Sequence, residues 1–560
     1  MEKTQARLLA IGSIAITIFM ISNAVTDPVN APKFFLLGTL GFACAALLGA
    51  QNFKKIWSYQ KVISGAVILF LLSAVFTLLM SSAPLSQSLY GAYGRNNGFI
   101  AYASLAFILI TAANLKNEKS YSWIAYALLI SGMVNVFYCA WVVLFGDFMA
   151  WNNTYNNLLG TFGNPNFVGS FLSIFATSSM AYLFSSQISI KLRALLGLVS
   201  LIAIAEMLKT NVMQGKVVLG LGTLLVIGAF IRSKSANALI TWVYFSIVGI
   251  IGITAILGIL QKGPLAKYIY QYTVSLRGQY WRAGLNTGKE NLLHGVGFDS
   301  LGDWYRRTRS AQALITPGTE VTTNSAHNVV IDMFAFGGIP LLISYLAIIV
   351  ITVIAIISRF VSEKRYDPIF VALSVGWIGY QAQSFISINQ LGLAIWGWVL
   401  SGAIIGYAKL GKAKTQNIES EKSNQRVNVR AASPISPQLI AGLGLVIGAL
   451  IAVPPLSADI NFRNAQVIRN AEVFEQALVP TYMHPQSTSM YLNSILLFEQ
   501  SGLNANALEI TKKALSFNKD SFETWRALYF LKNASEVDKV EALRNMKRLD
   551  PLNPNTTSNK

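Results

Sequence analysis

The sequence predicts an all-α, polytopic helical membrane protein: about thirteen transmembrane helices, a large extracytoplasmic loop and a C-terminal helical-repeat domain. Three observations predict it. Only 12% of the 560 residues are charged and 53% are hydrophobic, whereas about a quarter of a soluble chain is charged. Apolar stretches near the length of a membrane span, about 20 residues, recur from end to end. Cations also cluster in alternate loops: Lys54, Lys55 and Lys61; Lys116 and Lys119; Lys191 and Arg193; Arg232 and Lys234; Arg359, Lys364 and Arg365. The intervening loops hold only isolated cations, Lys33, Arg95, Lys209 and Lys216. This alternation places the N-terminus in the cytoplasm and residues 261–326 outside. The net charge of +19 is therefore read as topology, with no nucleic-acid partner.

Residues 1–260 hold nine expected spans, near 8–25, 34–50, 62–80, 98–113, 121–146, 166–184, 194–208, 217–231 and 238–260. The first follows Lys3 and Arg7, is long for a signal-peptide core and lacks a small-residue cleavage site, so it reads as an uncleaved span. Residues 261–326 form the extracytoplasmic loop. Spans near 327–357, 367–385 and 391–408 follow within 327–410. Residues 411–436 are polar and charged and read as a disordered cytoplasmic linker. A last span at 437–455 returns the chain outside, where 456–560 breaks into short amphipathic helices such as MYLNSILLFEQSG, NALEITKKALSFNKD and SFETWRALYFLKN. Their pairing and the closing Asp-Pro-Leu-Asn-Pro resemble about two and a half tetratricopeptide repeats. Such a tail either offers a concave face to a protein partner or caps the membrane domain. Cys44 and Cys139 lie inside apolar spans, so no structural disulfide is expected.

The loop concentrates the candidate chemistry. Of three histidines, His484 reads as a surface residue of the tail and His294 as structural; His327 opens the helix that follows the loop. An imidazole titrates near neutral pH and a helix N-terminus disfavours its protonated form, which leaves it free to act as a base. Arg277, Trp281 and Arg282 sit at helical spacing in SLRGQYWRAGL. A guanidinium fork fits phosphate oxygens, and an aromatic neighbour holds it by stacking. Arg306, Arg307 and Arg309 read as interfacial residues that contact headgroups. Glu206 is assigned a local ion pair with Lys209, and Asp332 lies off the face of His327. No acid pair and no His or Cys cluster has metal-ligand spacing, and no P-loop or Rossmann fingerprint is present, so neither metal nor cofactor is expected.

Three further external segments are polar or glycine-rich: SQSLYGAYGRNNGF with Arg95, NNLLGTFGNPNFVGSF with Asn164 and Asn166, and TNVMQGKVVLG with Gln214 and Lys216. If they converge with the loop, their amides and glycines, together with Asn324 and Asn328 beside His327, suit a polyhydroxylated ligand. SLRGQYWRAGLNTGKENLLHGVGFDSLGDW followed by SAHNVVIDMFAFGGIPLL resembles the O-antigen ligase and O-antigen polymerase superfamily of membrane glycosyltransferases, and is also similar to bacterial protein O-oligosaccharyltransferases. GTFGNPNFVGSFL and SFISINQLGLAIWGWVLSG look like further segments of that family, and the likeness covers most of residues 1–410. Its most specific piece is His327-Asn328 followed, after nine intervening residues, by Gly338.

The resemblance implies an inverting, metal-independent transfer at the outer face of the inner (cytoplasmic) membrane, in cell-envelope polysaccharide assembly. The donor would be a glycan on a polyprenyl diphosphate of the undecaprenyl kind, and the acceptor a hydroxyl on a glycan, lipid or protein. Carried over, Arg277 would grip the diphosphate and His327 would take the acceptor proton. Arg282, Trp281, Arg95, Gln214, Lys216, Asn324, Asn328, Asn164 and Asn166 would bind substrate around them. The chain departs from the family at Leu342, where a small residue or tyrosine is usual, and at Gln214-Gly215-Lys216, where many members carry an arginine. The alternative is a polysaccharide or lipid-linked glycan transporter or flippase. It would require polar or broken helices near the midplane and an internal repeat.

Overall fold

The computed structural model describes residues 1–151, 153–235, 237–259, 262–269, 272–420 and 435–557. Among them are helices and irregular segments and no strand. Each of the thirteen expected apolar stretches falls on a helix of its own. In order these are α1 (Glu2–Ile18), α2 (Asn30–Gly49), α3 (Lys61–Met80), α4 (Phe99–Ala113), α5 (Glu118–Phe145), α6 (Pro165–Leu183), α7 (Ile190–Lys209), α8 (Met213–Lys234) and α9 (Ala238–Ile259). The loop region contributes α10 (Tyr272–Glu290) and α11 (Leu301–Thr308), and the chain continues through α12 (Val329–Ser362), α13 (Pro368–Ser384), α14 (Leu391–Ser420) and α15 (Pro437–Ile468). Among the described residues, seven of these, α2, α3, α5, α8, α12, α14 and α15, are long and apolar enough to cross a membrane.

Helix starts follow local chemistry. Asn164 caps α6 by accepting from the Asn166 amide at 2.9 Å, with Pro165 in the first turn. Asp367 caps α13 and Ser436 caps α15 in the same way, each followed by proline. The apolar window of α14 is wholly buried, so α14 is the central post of the bundle. By contrast α12 and α15 turn Ile343, Ile354, Leu443 and Leu450 outward. An outward apolar surface of this kind is costly in water and suits a lipid environment. The backbones of α2 and α15 meet along small residues: a Cβ on Gly38 would lie 2.4 Å from that of Ala452.

Three expectations need correction. The apolar stretch at 327–357 is not one continuous helix. Gly338 has φ 65°, which breaks α12 nine residues after its start. The freed carbonyls of Ala335 and Phe336 accept from the amides of Val296 and Gly297 at 2.9 and 3.0 Å, and the Ile339 amide donates to Leu292 O at 2.7 Å. The loop is thereby laced onto the broken helix, because freed backbone groups in an apolar setting require partners. Second, α14 continues to Ser420, so helix replaces the first part of the expected linker; 421–434 lie outside the described residues. Third, α15 runs through Pro454 and Pro455 to Ile468, beyond the expected end at 455.

The tail follows as α16 (Ala471–Ala477), α17 (Thr488–Gln500), α18 (Asn504–Phe517), α19 (Phe522–Phe530) and α20 (Glu536–Leu549). Helices α17 with α18 and α19 with α20 pack as antiparallel pairs. Phe462, Phe474, Phe498, Trp525 and Leu549 give the tail a core of its own, separate from that of the bundle.

Candidate active site

The site is built where α10 crosses the start of α12. A Cβ on Gly284 would lie 2.7 Å from Ile331 and 3.1 Å from Ala326, so glycine is what permits this approach. Arg277, Tyr280, Gly284 and Gly288 fall three to four residues apart and share that face. Tyr280 lies over His327, ring centroids 5.5 Å apart and 32° from parallel, and its other neighbour is Tyr305 at 5.9 Å.

His327 lies just outside α12. The helix is capped by Asn328, whose Oδ1 accepts from the amides of Val330 and Ile331 at 3.0 and 3.2 Å. His327 takes the left-handed conformation, φ 55°, uncommon for a residue with a Cβ. Asp332 makes this turn hold: its carboxylate accepts from Ser325 Oγ at 2.7 Å and from the Ala326 amide at 2.8 Å, and Ser325 Oγ accepts from the His327 amide at 3.1 Å. The acid that seemed idle in the sequence is thus a positioning residue for the imidazole.

Burial and the neighbouring cations Arg277 and Arg95 lower the His327 pKa to about 4. The imidazole is neutral at neutral pH, as expected, but for a different reason: burial and two guanidinium groups, where the sequence suggested a helix terminus. Arg277 is desolvated by burial, which works against its charge, while Tyr280 favours it. With the Gln214 amide turned so that its oxygen faces the guanidinium, it accepts from both Arg277 Nη atoms at 3.1–3.2 Å. An amide nitrogen turned there would set donor against donor. Gln214 therefore holds Arg277, and its first-turn position on α8 brings that segment into the site.

Arg95 reaches the same place by another route. It is 7% exposed and forms an ion pair with Asp299, and its Nη1 donates to Asn324 Oδ1 at 2.9 Å. Asp299 also accepts from the Ala92 amide at 2.8 Å, closing the 92–97 turn onto the loop. Asn324 is exposed and Trp281 is half-buried with its indole N–H unpartnered among the described residues. Asn324 remains open to a ligand, whereas the Trp281 N–H is enclosed by the protein.

Several expected site residues have other work. Asn328 and Asn164 spend their side-chain oxygens on helix caps, and Asn166 donates to Asn164 at 3.1 Å. Lys216 points out and donates to Asn211 at 3.2 Å, and Arg282 is exposed on α10. Arg306, Arg307 and Arg309 do not lie against an interface. Arg309 Nη2 donates to both carboxylate oxygens of Asp550 at 2.7–2.8 Å, Arg306 joins it at 3.1 Å and reaches Glu523 at 2.7 Å, and Arg307 pairs with Asp520 at 2.5 Å. These cations clamp the tail onto α11. Glu206 is buried with both carboxylate oxygens unpartnered among the described residues, so its assigned pair with Lys209 does not form. His294 Nδ1 donates to Gly295 O at 2.7 Å, and His484 contacts Asn461.

Sequence reasoning missed Tyr280, Asp299 and Ser325. Tyr280 carried a signal, its place one helical turn after Arg277; Asp299 and Ser325 carried none. No protein-family model matches the chain, and no curated protein matches it.

Proposed function

We propose that this chain is an integral membrane glycosyltransferase that moves a glycan from a polyprenyl diphosphate to an acceptor hydroxyl, in the manner of the O-antigen ligase and polymerase superfamily it resembles. The observation that carries the reading is a half-buried, neutral imidazole flanked by a desolvated guanidinium that donates to no carboxylate among the described residues. A desolvated arginine held only by an amide retains its charge for an anionic ligand.

The acceptor oxygen attacks the anomeric carbon from the face opposite the diphosphate. The carbon–oxygen bond to the diphosphate breaks and its electron pair stays on the leaving phosphate oxygen. His327 takes the acceptor's proton, and Arg277 meets the charge that develops on the diphosphate, where a fixed cation in a water-poor site is most effective. Asn324, exposed beside Arg95, supplies an amide to sugar hydroxyls.

The test is donor-to-acceptor transfer by purified protein with lipid-linked glycan. His327→Ala and Arg277→Ala should each lower transfer by about 10²-fold or more, with normal accumulation in the membrane. Full activity in both variants sinks the mechanism. Movement of lipid-linked glycan across vesicles that is indifferent to His327→Ala would favour the flippase alternative. Against that alternative, the carbonyls freed at the break in α12 are occupied by loop amides and do not line a path.

A further inference from the structure

We propose that the slot between α8, α9, α12 and α13, at the end of the bundle away from His327, binds an anionic glycerophospholipid. The slot has a volume of about 350 Å³ and is walled by Leu225, Phe245, Ile357 and Trp377. That size falls in the range of small-molecule sites. Its wall residues on α12 begin at Val353, about 15 residues beyond the break at Gly338 and roughly 22 Å at helical rise, so it is separate from the cluster around His327.

The slot is apolar, but its rim is charged, so an apolar chain alone is an incomplete description of the occupant. Arg232 stands at the rim and also lines the adjoining cleft with Arg359, Lys364 and Arg365. The two acids there, Glu363 and Asp367, lie 3.6 and 3.5 Å from Arg359 and leave the four cations in excess. That positive excess suits a phosphate headgroup. On the positive-inside reading this rim faces the cytoplasmic leaflet, where anionic lipids are enriched.

The full chain, embedded in nanodiscs of equal phosphatidylglycerol and phosphatidylcholine, is released and weighed by native mass spectrometry. Phosphatidylglycerol should be retained over phosphatidylcholine. Arg232→Gln should weaken retention about 5-fold, the effect of one basic residue at an anionic headgroup. Ser374→Phe, which fills the slot, should abolish it, whereas Ser374→Ala, which leaves the slot open, should retain lipid as the native chain does. His327→Ala should also retain lipid, which separates this site from the transfer reaction. Equal retention of the two lipids, or retention unchanged in Arg232→Gln and Ser374→Phe, overturns the proposal. So does displacement of phosphatidylglycerol by added polyprenyl phosphate, which would assign the slot to the donor's chain.

Discussion

At the scale of single residues, the character of His327 is set by what surrounds it. Its pKa falls from 6.5 to about 4 because burial, Arg277 and Arg95 all penalise the imidazolium. The acid limb of kcat/KM should therefore lie near pH 4, with activity flat through the range where a free histidine would already be protonated. Bound diphosphate brings negative charge to Arg277, so the acid limb of kcat should lie at higher pH than that of kcat/KM. A kcat/KM limb near 6.5 would mean that the base is another group or a solvated imidazole. Because the folded value is depressed, the unfolded chain takes up this proton first, and stability is lost as pH falls from about 6.5 through 4. The turn that carries the histidine owes its shape to Ser325 and Asp332, two ordinary polar residues whose joint role comes from facing one another.

At the scale of elements, α11 is held between two carboxylates from distant parts of the chain. Asp299, two residues before it, fixes Arg95; Asp550, after α20, fixes Arg306 and Arg309 at its end. The side chains of Arg309 and Asp550 are fully buried and that of Arg306 nearly so. Asp550→Ala strands the fully buried Arg309, while Arg306 keeps Glu523, and should cost about 3–5 kcal/mol. Thermal unfolding in detergent should show the loss, with earlier proteolytic cleavage between α15 and α20. An unchanged melting curve would mean that water satisfies Arg309. The same contacts correct the reading of these arginines as headgroup ligands: a basic run in a sequence does not reveal whether its counter-ions are lipids or carboxylates two hundred residues away.

At the scale of the whole molecule, the tail and the bundle have separate cores joined by polar contacts. Besides the arginine clamp, Tyr93 binds Asp459, Asn518 donates to Asp303 at 3.1 Å, and Ser86 donates to the carbonyl of Gln486 at 2.9 Å. Of the two roles considered for the tail, packing on the rest of the chain is the one the structure displays. Removing residues 471–560 should leave a chain that still inserts but transfers poorly, by about 10²-fold if α11 shifts by as little as 1 Å. Full transfer by the truncated chain in vitro would make the tail a platform for partners only. The exposed apolar flanks of α12 and α15 suit a lipid or detergent environment, in keeping with the membrane location proposed for the chain.

The sequence by itself determined the all-helical class, the place of every long apolar helix, the repeat-like tail and the prominence of Arg277 and His327. Those properties follow from hydropathy, capping residues and local spacing, which act within a few turns of chain. Only the tertiary structure decided that α12 is broken, that Asn164 and Asn328 cap helices, that Arg306 and Arg309 bind Asp550, and that Tyr280, Asp299, Ser325 and Asp332 build the site. The physical reason is range. A cap or an apolar face is fixed by neighbours in sequence, whereas a buried charge takes its partner from whatever folding brings within a few ångströms, and Arg95 and Asp299 are separated by 204 positions.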